Sequence, residues 1–197
     1  MEIDPEEIKE KVESARAYYM ALGRFVHKFS EVESSLKSFL ARLLGIDAHT
    51  ANAVFSGMRT KPAMDAIRRV YERNNQTPDA LYASITEQLG QILSARDWII
   101  HFGARLYEQS EPMVTNARYA HTTKAVREFP ISHLLLDDMT ADLEVIESQI
   151  TLAEIRMWME ASEFKKSFGN VEPPTWRYKH APQPRRRAKS PPKDQTP

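Results

Sequence analysis

AYYMALGRFVHKFSEVESSLKSFLARLLG, residues 17–45, places an apolar side chain at every third or fourth position. With Ala15 in front, the series is Tyr18, Leu22, Phe25, Phe29, Val32, Leu36, Leu40 and Leu43, the 3.6-residue period of one buried helical face. Upstream, Asp4 and Pro5 supply a cap and a first-turn proline. The spacing therefore predicts one long helix that ends at Gly45, a residue suited to the position just past a helix terminus. Gly23 could kink this helix or split it in two.

Working outward, shorter helices are expected over residues 48–58 and 60–72, the second with Pro62 in its first turn. Thr77-Pro78 opens another helix that runs to about Phe102, with Leu81, Tyr82, Ile85, Leu89, Ile92, Leu93, Ile99 and Ile100 as its stripe. Ser132 caps a last long helix striped by Leu136, Met139, Leu143, Ile146, Ile150, Ala153 and Met157. Between these two, MVTNARYA (113–120) and KAVREF (124–129) flank a polar HTT and could pair as a small β-hairpin near 112–129. The expected fold class is an all-α bundle of about five helices with that hairpin, spanning residues 1–170. Beyond Gly169 the chain holds seven of its 12 prolines and almost no aliphatic residues, so 171–197 reads as a disordered basic tail.

Composition narrows the function classes. Hydrophobic residues make up 42% and charged residues 27%, as in a globular domain. No apolar run approaches the length of a membrane span, and the acidic start MEIDPEEIKE has no apolar signal region. There is no cysteine, which removes disulfides, thiolate metal sites and cysteine nucleophiles together. The cytoplasm is the expected location. The net charge of zero divides into about −6 for residues 1–172 and +6 for 173–197, so any phosphate contact on the acidic body must be local.

One segment points to chemistry: ARDWIIHFGA, residues 95–104. Arg96 falls in the apolar stripe of its helix, where a cation needs an acceptor. Glu33 lies in the stripe of the first helix, between Phe29 and Leu36, and could pair with Arg96 if the two helices pack together. Asp97 and His101, four residues apart, share a side of the helix with the small residues Gly90 and Ser94. Trp98 should point further out, which suggests that a second subunit covers it. The bland alternative is a structural Arg96–Glu33 tie and a surface His101 that suits a helix C-terminus.

Arg96-Asp97-Trp98-Ile99-Ile100-His101 resembles the R-x4-H motif of the HEPN superfamily: arginine, a polar residue, three variable residues, histidine. SEVESSLKSFLARLLG and GMRTKPAMDAIRRVYE are similar to segments of bacterial HEPN-like proteins. The resemblance implies a helical bundle that carries its motif late in a core helix and forms a homodimer with two motifs in one cleft. It implies a metal-independent endoribonuclease leaving 2′,3′-cyclic phosphate ends, a toxin or defence effector with a protein antitoxin as a conceivable partner. The other implied class is a noncatalytic dimeric scaffold or a nucleotide- or RNA-binding module. Asp97 stands where asparagine is commoner. The residue types suit phosphate chemistry, since an imidazole exchanges protons near neutral pH and a guanidinium forks onto phosphate oxygens. The catalytic expectation is thus Arg96 and His101 with Asp97 in support, and no cofactor.

The remaining candidates are weaker. His27 lies opposite the apolar stripe, and His49, His121 and His133 stand alone, so no metal site is expected. No glycine-rich phosphate loop is present in the sequence. Arg68 and Arg69 read as an exposed helix face. Arg185, Arg186 and Arg187 could bind RNA, an acidic partner or the acidic body itself, or simply solubilise the tail. Trp176 and Tyr178 could dock back on the domain or stack on bases.

Overall fold

The computed structural model describes residues 4–74, 80–105, 112–116, 118 and 128–179. Among them are six helices: α1 (Pro5–Leu43), α2 (Ala48–Phe55), α3 (Thr60–Arg73), α4 (Ala80–Phe102), α5 (His133–Trp158) and α6 (Ala161–Phe168). Three short strands, β1 (Ala104–Arg105), β2 (Met113–Thr115) and β3 (Glu128–Pro130), complete the expected all-α bundle with its small hairpin. No helix among the described residues is long and apolar enough to cross a membrane.

α1 is a single helix of 39 residues that runs through Gly23 without a break. Its start is capped by Asp4, whose carboxylate accepts from the Glu6 backbone N–H at 3.0 Å. Its end is a complete Schellman turn. Gly45 takes φ 66°, its N–H donates to the Arg42 carbonyl, and the Ile46 N–H donates to the Ala41 carbonyl. The buried face comprises Tyr18, Ala21, Phe25, Phe29, Val32, Leu36, Phe39 and Leu40. Opposite it stand Leu136, Met139, Leu143, Ile146 and Ile150 of α5 and Ile85, Leu89, Ile92 and Ile99 of α4. Burying one such large side chain contributes about 1.5–3 kcal/mol, so this shared core holds the three long helices together. Tyr18 ends the core with its hydroxyl buried, and burial pushes that phenol up to about 12.

The strands form one antiparallel sheet in the order β1-β2-β3. β2 and β3 are the expected pairing, with Val114 opposite Phe129. β1 was not anticipated. It follows directly from Gly103, whose φ of 65° turns the chain out of α4, and it sets Ala104 opposite Val114. Val114 and Ile131 are fully buried and close the core at this end. The start signal Thr77-Pro78 and the centre of the hairpin, residues 119–127, lie outside the described residues.

The domain boundary needs correction. Residues 171–179, expected to begin a disordered tail, pack on the bundle. Tyr178 is buried, and the Trp176 indole N–H donates to Ser84 Oγ on α4 at 3.0 Å. Of the two expectations for Trp176 and Tyr178, docking on the domain is the one observed, and these aromatic side chains hold a stretch whose proline content alone reads as disordered. Residues 180–197, with Arg185, Arg186 and Arg187, lie outside the described residues.

Two glycines should respond in opposite directions. Nothing lies within 4 Å of a Cβ added at Gly23 or Gly45, but only Gly45 has positive φ. Gly23→Ala should therefore stabilise by about 0.5–1 kcal/mol through helix propensity. Gly45→Ala should destabilise by about 1–2 kcal/mol through left-handed strain. Urea unfolding of both variants checks this, and the same sign for both would refute it.

Tyr18 makes a second prediction. Its phenol reaches about 12 when folded, against 10.0 for a free tyrosine, so the folded state holds the proton more tightly across that window. Its contribution to stability is full below pH 10 and is lost as pH rises towards 12. Urea midpoints at pH 9 and pH 11 should diverge less in Tyr18→Phe than in the parent chain.

Candidate functional site

The site residues occupy the last turn and a half of α4. The buried positions of this helix are Ile85, Gln88, Leu89, Ile92, Ala95 and Ile99. The apolar face is thus centred on Ala95 and Ile99, and Arg96 lies at its edge rather than in its middle. Ile100, expected inside, is half exposed.

Arg96 keeps 27% of its side chain exposed. Its guanidinium carbon stands 5.2 Å from the centroid of the Phe29 ring on α1, a cation–π contact. Its NH1 donates to Asp97 Oδ1 at 2.9 Å. The planar group is therefore held on one face by Phe29 and at one end by Asp97. Asp97, 47% exposed, orients the arginine directly. His101 is exposed in the last turn of α4 and meets the Phe102 ring edge-on at 6.4 Å. Trp98, expected to face outward, is half-buried against the core and packs on Phe102 at 4.9 Å. It is covered from within the chain, because Phe102 follows one turn later on the same side.

The expected Glu33–Arg96 pair is not formed. Glu33 accepts from Lys37 Nζ at 3.3 Å and from Thr60 Oγ1 at 2.8 Å. Thr60 is the buried first residue of α3, so Glu33 ties the start of that helix to α1. Two nearer partners claim the carboxylate, and Arg96 turns to its own neighbour instead. This leaves the guanidinium part-exposed near the end of α4, the helix whose last turn carries the exposed His101.

Among the described residues no group of three or more histidines, aspartates or glutamates could hold a metal ion. His27, expected to be solvated, is exposed and lies 3.4 Å from Glu31. Arg68 lies on an exposed helix face as expected, beside Asp65 and Glu72. Sequence reasoning missed a groove of about 890 Å³ between α1 and α2, lined in part by Ser34, Ser38, Asn52, Phe55 and Trp158. Arg96, Asp97 and His101 do not line it. Phe29 was also missed as a support for Arg96, although its place in the α1 stripe was the available signal. Comparison with family models, curated proteins and solved structures finds no match for this chain.

The geometry predicts which positions couple. Arg96→Ala and Glu33→Gln share no bond, so their effects on stability should add within about 0.5 kcal/mol. Arg96→Met and Phe29→Leu share the cation–π contact and should couple by about 0.5–1 kcal/mol. Double-mutant cycles in urea measure both. Strong coupling between positions 33 and 96 would contradict the arrangement.

Proposed function

We propose that the protein is a metal-independent endoribonuclease that cleaves RNA as a homodimer, leaving 2′,3′-cyclic phosphate ends. The observation that carries this reading is the placement of an exposed His101 along the same helix end as an oriented, part-exposed Arg96. In the proposed reaction an imidazole takes the proton of the ribose 2′-hydroxyl. The 2′-oxygen bonds to phosphorus, the bond from phosphorus to the 5′-oxygen breaks, and the departing oxygen receives a proton from a second imidazole. A second copy of the chain supplies that second His101. Arg96 holds the negative charge that grows on the phosphate oxygens, and Asp97 sets its angle. The run Arg185–Arg187 adds salt-sensitive backbone contacts to RNA.

A second reading, a noncatalytic scaffold or RNA-binding module, has one observation in its favour. Arg96 already has a ring and a carboxylate as partners, which suffices for a structural role.

The test is cleavage of mixed RNA in EDTA by the parent chain, His101→Ala and Arg96→Ala, with fold and oligomeric state matched. Loss of about 100-fold or more in each variant is expected, with cyclic phosphate ends on the parent's products. Arg96→Lys should also lose activity, since an ammonium keeps the charge but not the fork. Undiminished cleavage by His101→Ala would end the proposal. Absence of cleavage by the parent, together with a destabilised Arg96→Ala, would favour the scaffold.

A further inference from the structure

Asp142 on α5 is 1% exposed, and among the described residues no cation pairs with it. Its charge is met by N–H donors instead. Oδ1 accepts from the Arg177 backbone at 2.9 Å. Oδ2 accepts from the Tyr178 backbone at 2.9 Å and from Gln88 Nε2 at 2.7 Å. Gln88, itself buried on α4, also donates to the Tyr178 carbonyl at 3.0 Å. The two side chains thus read the two successive N–H donors and the acceptor of one dipeptide, whose chain bends at Arg177 so that both N–H groups point the same way.

Two aromatic anchors flank that reading. Tyr178 is 2% exposed within the core cluster, and Trp176 is half-buried with its indole N–H on Ser84. Between and around them Glu172, Pro173, Thr175, Arg177 and Lys179 are exposed. The segment belongs to no helix or sheet. Main-chain hydrogen bonds combined with side-chain pockets are a general way for a protein to bind a peptide segment. Here the bound peptide is part of the same chain.

The socket also spans two helices. Ser84 and Gln88 belong to α4, Asp142 belongs to α5, and the bound segment bridges them. Without it, a buried carboxylate and a buried amide would lose three partners, a costly state in a low-dielectric interior. Gln88 lies two turns, about 12 Å of helix rise, before Arg96.

We propose that Ser84, Gln88 and Asp142 form a peptide-recognition socket for a Trp-x-Tyr segment bent at its middle residue, filled in cis by residues 171–179, and that the filled socket fixes α4 on α5. This holds whatever the Arg96–His101 surface acts on. Gln88 and Asp142 are positioning residues in this scheme, and the segment is a strap that a matching peptide can replace.

The test uses the full chain with a protease site inserted between Asn170 and Val171, cut after purification. The freed segment should co-elute with the body on gel filtration at micromolar concentration. An excess of synthetic peptide with the sequence of residues 171–181 should displace it. Asp142→Asn, which turns one acceptor into a donor facing donors, should speed its loss by about tenfold or more. Amide exchange over residues 88–102 should rise by a similar factor when the strap leaves, while α1 stays protected. Trp176→Ala, away from the buried carboxylate, gives the same comparison if Asp142→Asn fails to fold. Release of the segment on cutting, or unchanged exchange in α4 after its loss, would overturn the proposal.

Discussion

The packing of α1 along α5 is the constraint on which the rest of the molecule depends. The two helices run in the same direction, since Arg24, Lys28 and Arg42 meet Asp137, Glu147 and Glu154 in the same order. These pairs lie at the edge of the interface and contribute little energy individually, but they agree on one relative direction of the helices. Glu31 and Glu147 together hold the Lys28 ammonium above its usual value, a sign that this edge is electrostatically settled. Between the pairs the two apolar faces form the core. α3 is pinned to α1 through Glu33 and Thr60, and α4 closes the remaining side, which brings Arg96 over Phe29.

Much of this was legible from residue spacing. The long first helix, its proline start and its glycine stop follow from local rules that tertiary packing did not override. Ser132 likewise caps α5, accepting from the Leu135 N–H at 3.2 Å. The register of α4 was harder. Its sequence offers apolar residues at 92 and 93 and again at 99 and 100, so periodicity alone cannot decide between neighbouring faces. Packing chose Ile92 and Ile99 and left Ile100 half exposed.

The candidate residues stand out by residue type, but the pairing of Arg96 differs from the expected one. Adjacent residues on a helix do not normally face each other, so spacing does not suggest Asp97 as the partner of Arg96. A long arginine side chain can fold back along the helix, and Asp97 is the acceptor it meets. The Asp142 socket was invisible for a different reason. Gln88 and Asp142 are 54 positions apart and Tyr178 lies 36 beyond that, and no periodic pattern links them. Only the aromatic character of Trp176 and Tyr178 distinguished that stretch from the proline-rich sequence around it.

That stretch carries a compositional rule of its own. Asp142 binds main-chain N–H groups, so it is blind to which side chain sits at 177. It is not blind to proline, which has no N–H to give. Seven of the 12 prolines crowd the last 25 residues, yet they stop at Pro174 on one side and resume at Pro182 on the other. The interval between them holds the two residues whose amides are bound. Sequence drift in this tail can exchange nearly any residue at 177 for another, but the one substitution its own composition most favours is the one the bound backbone forbids.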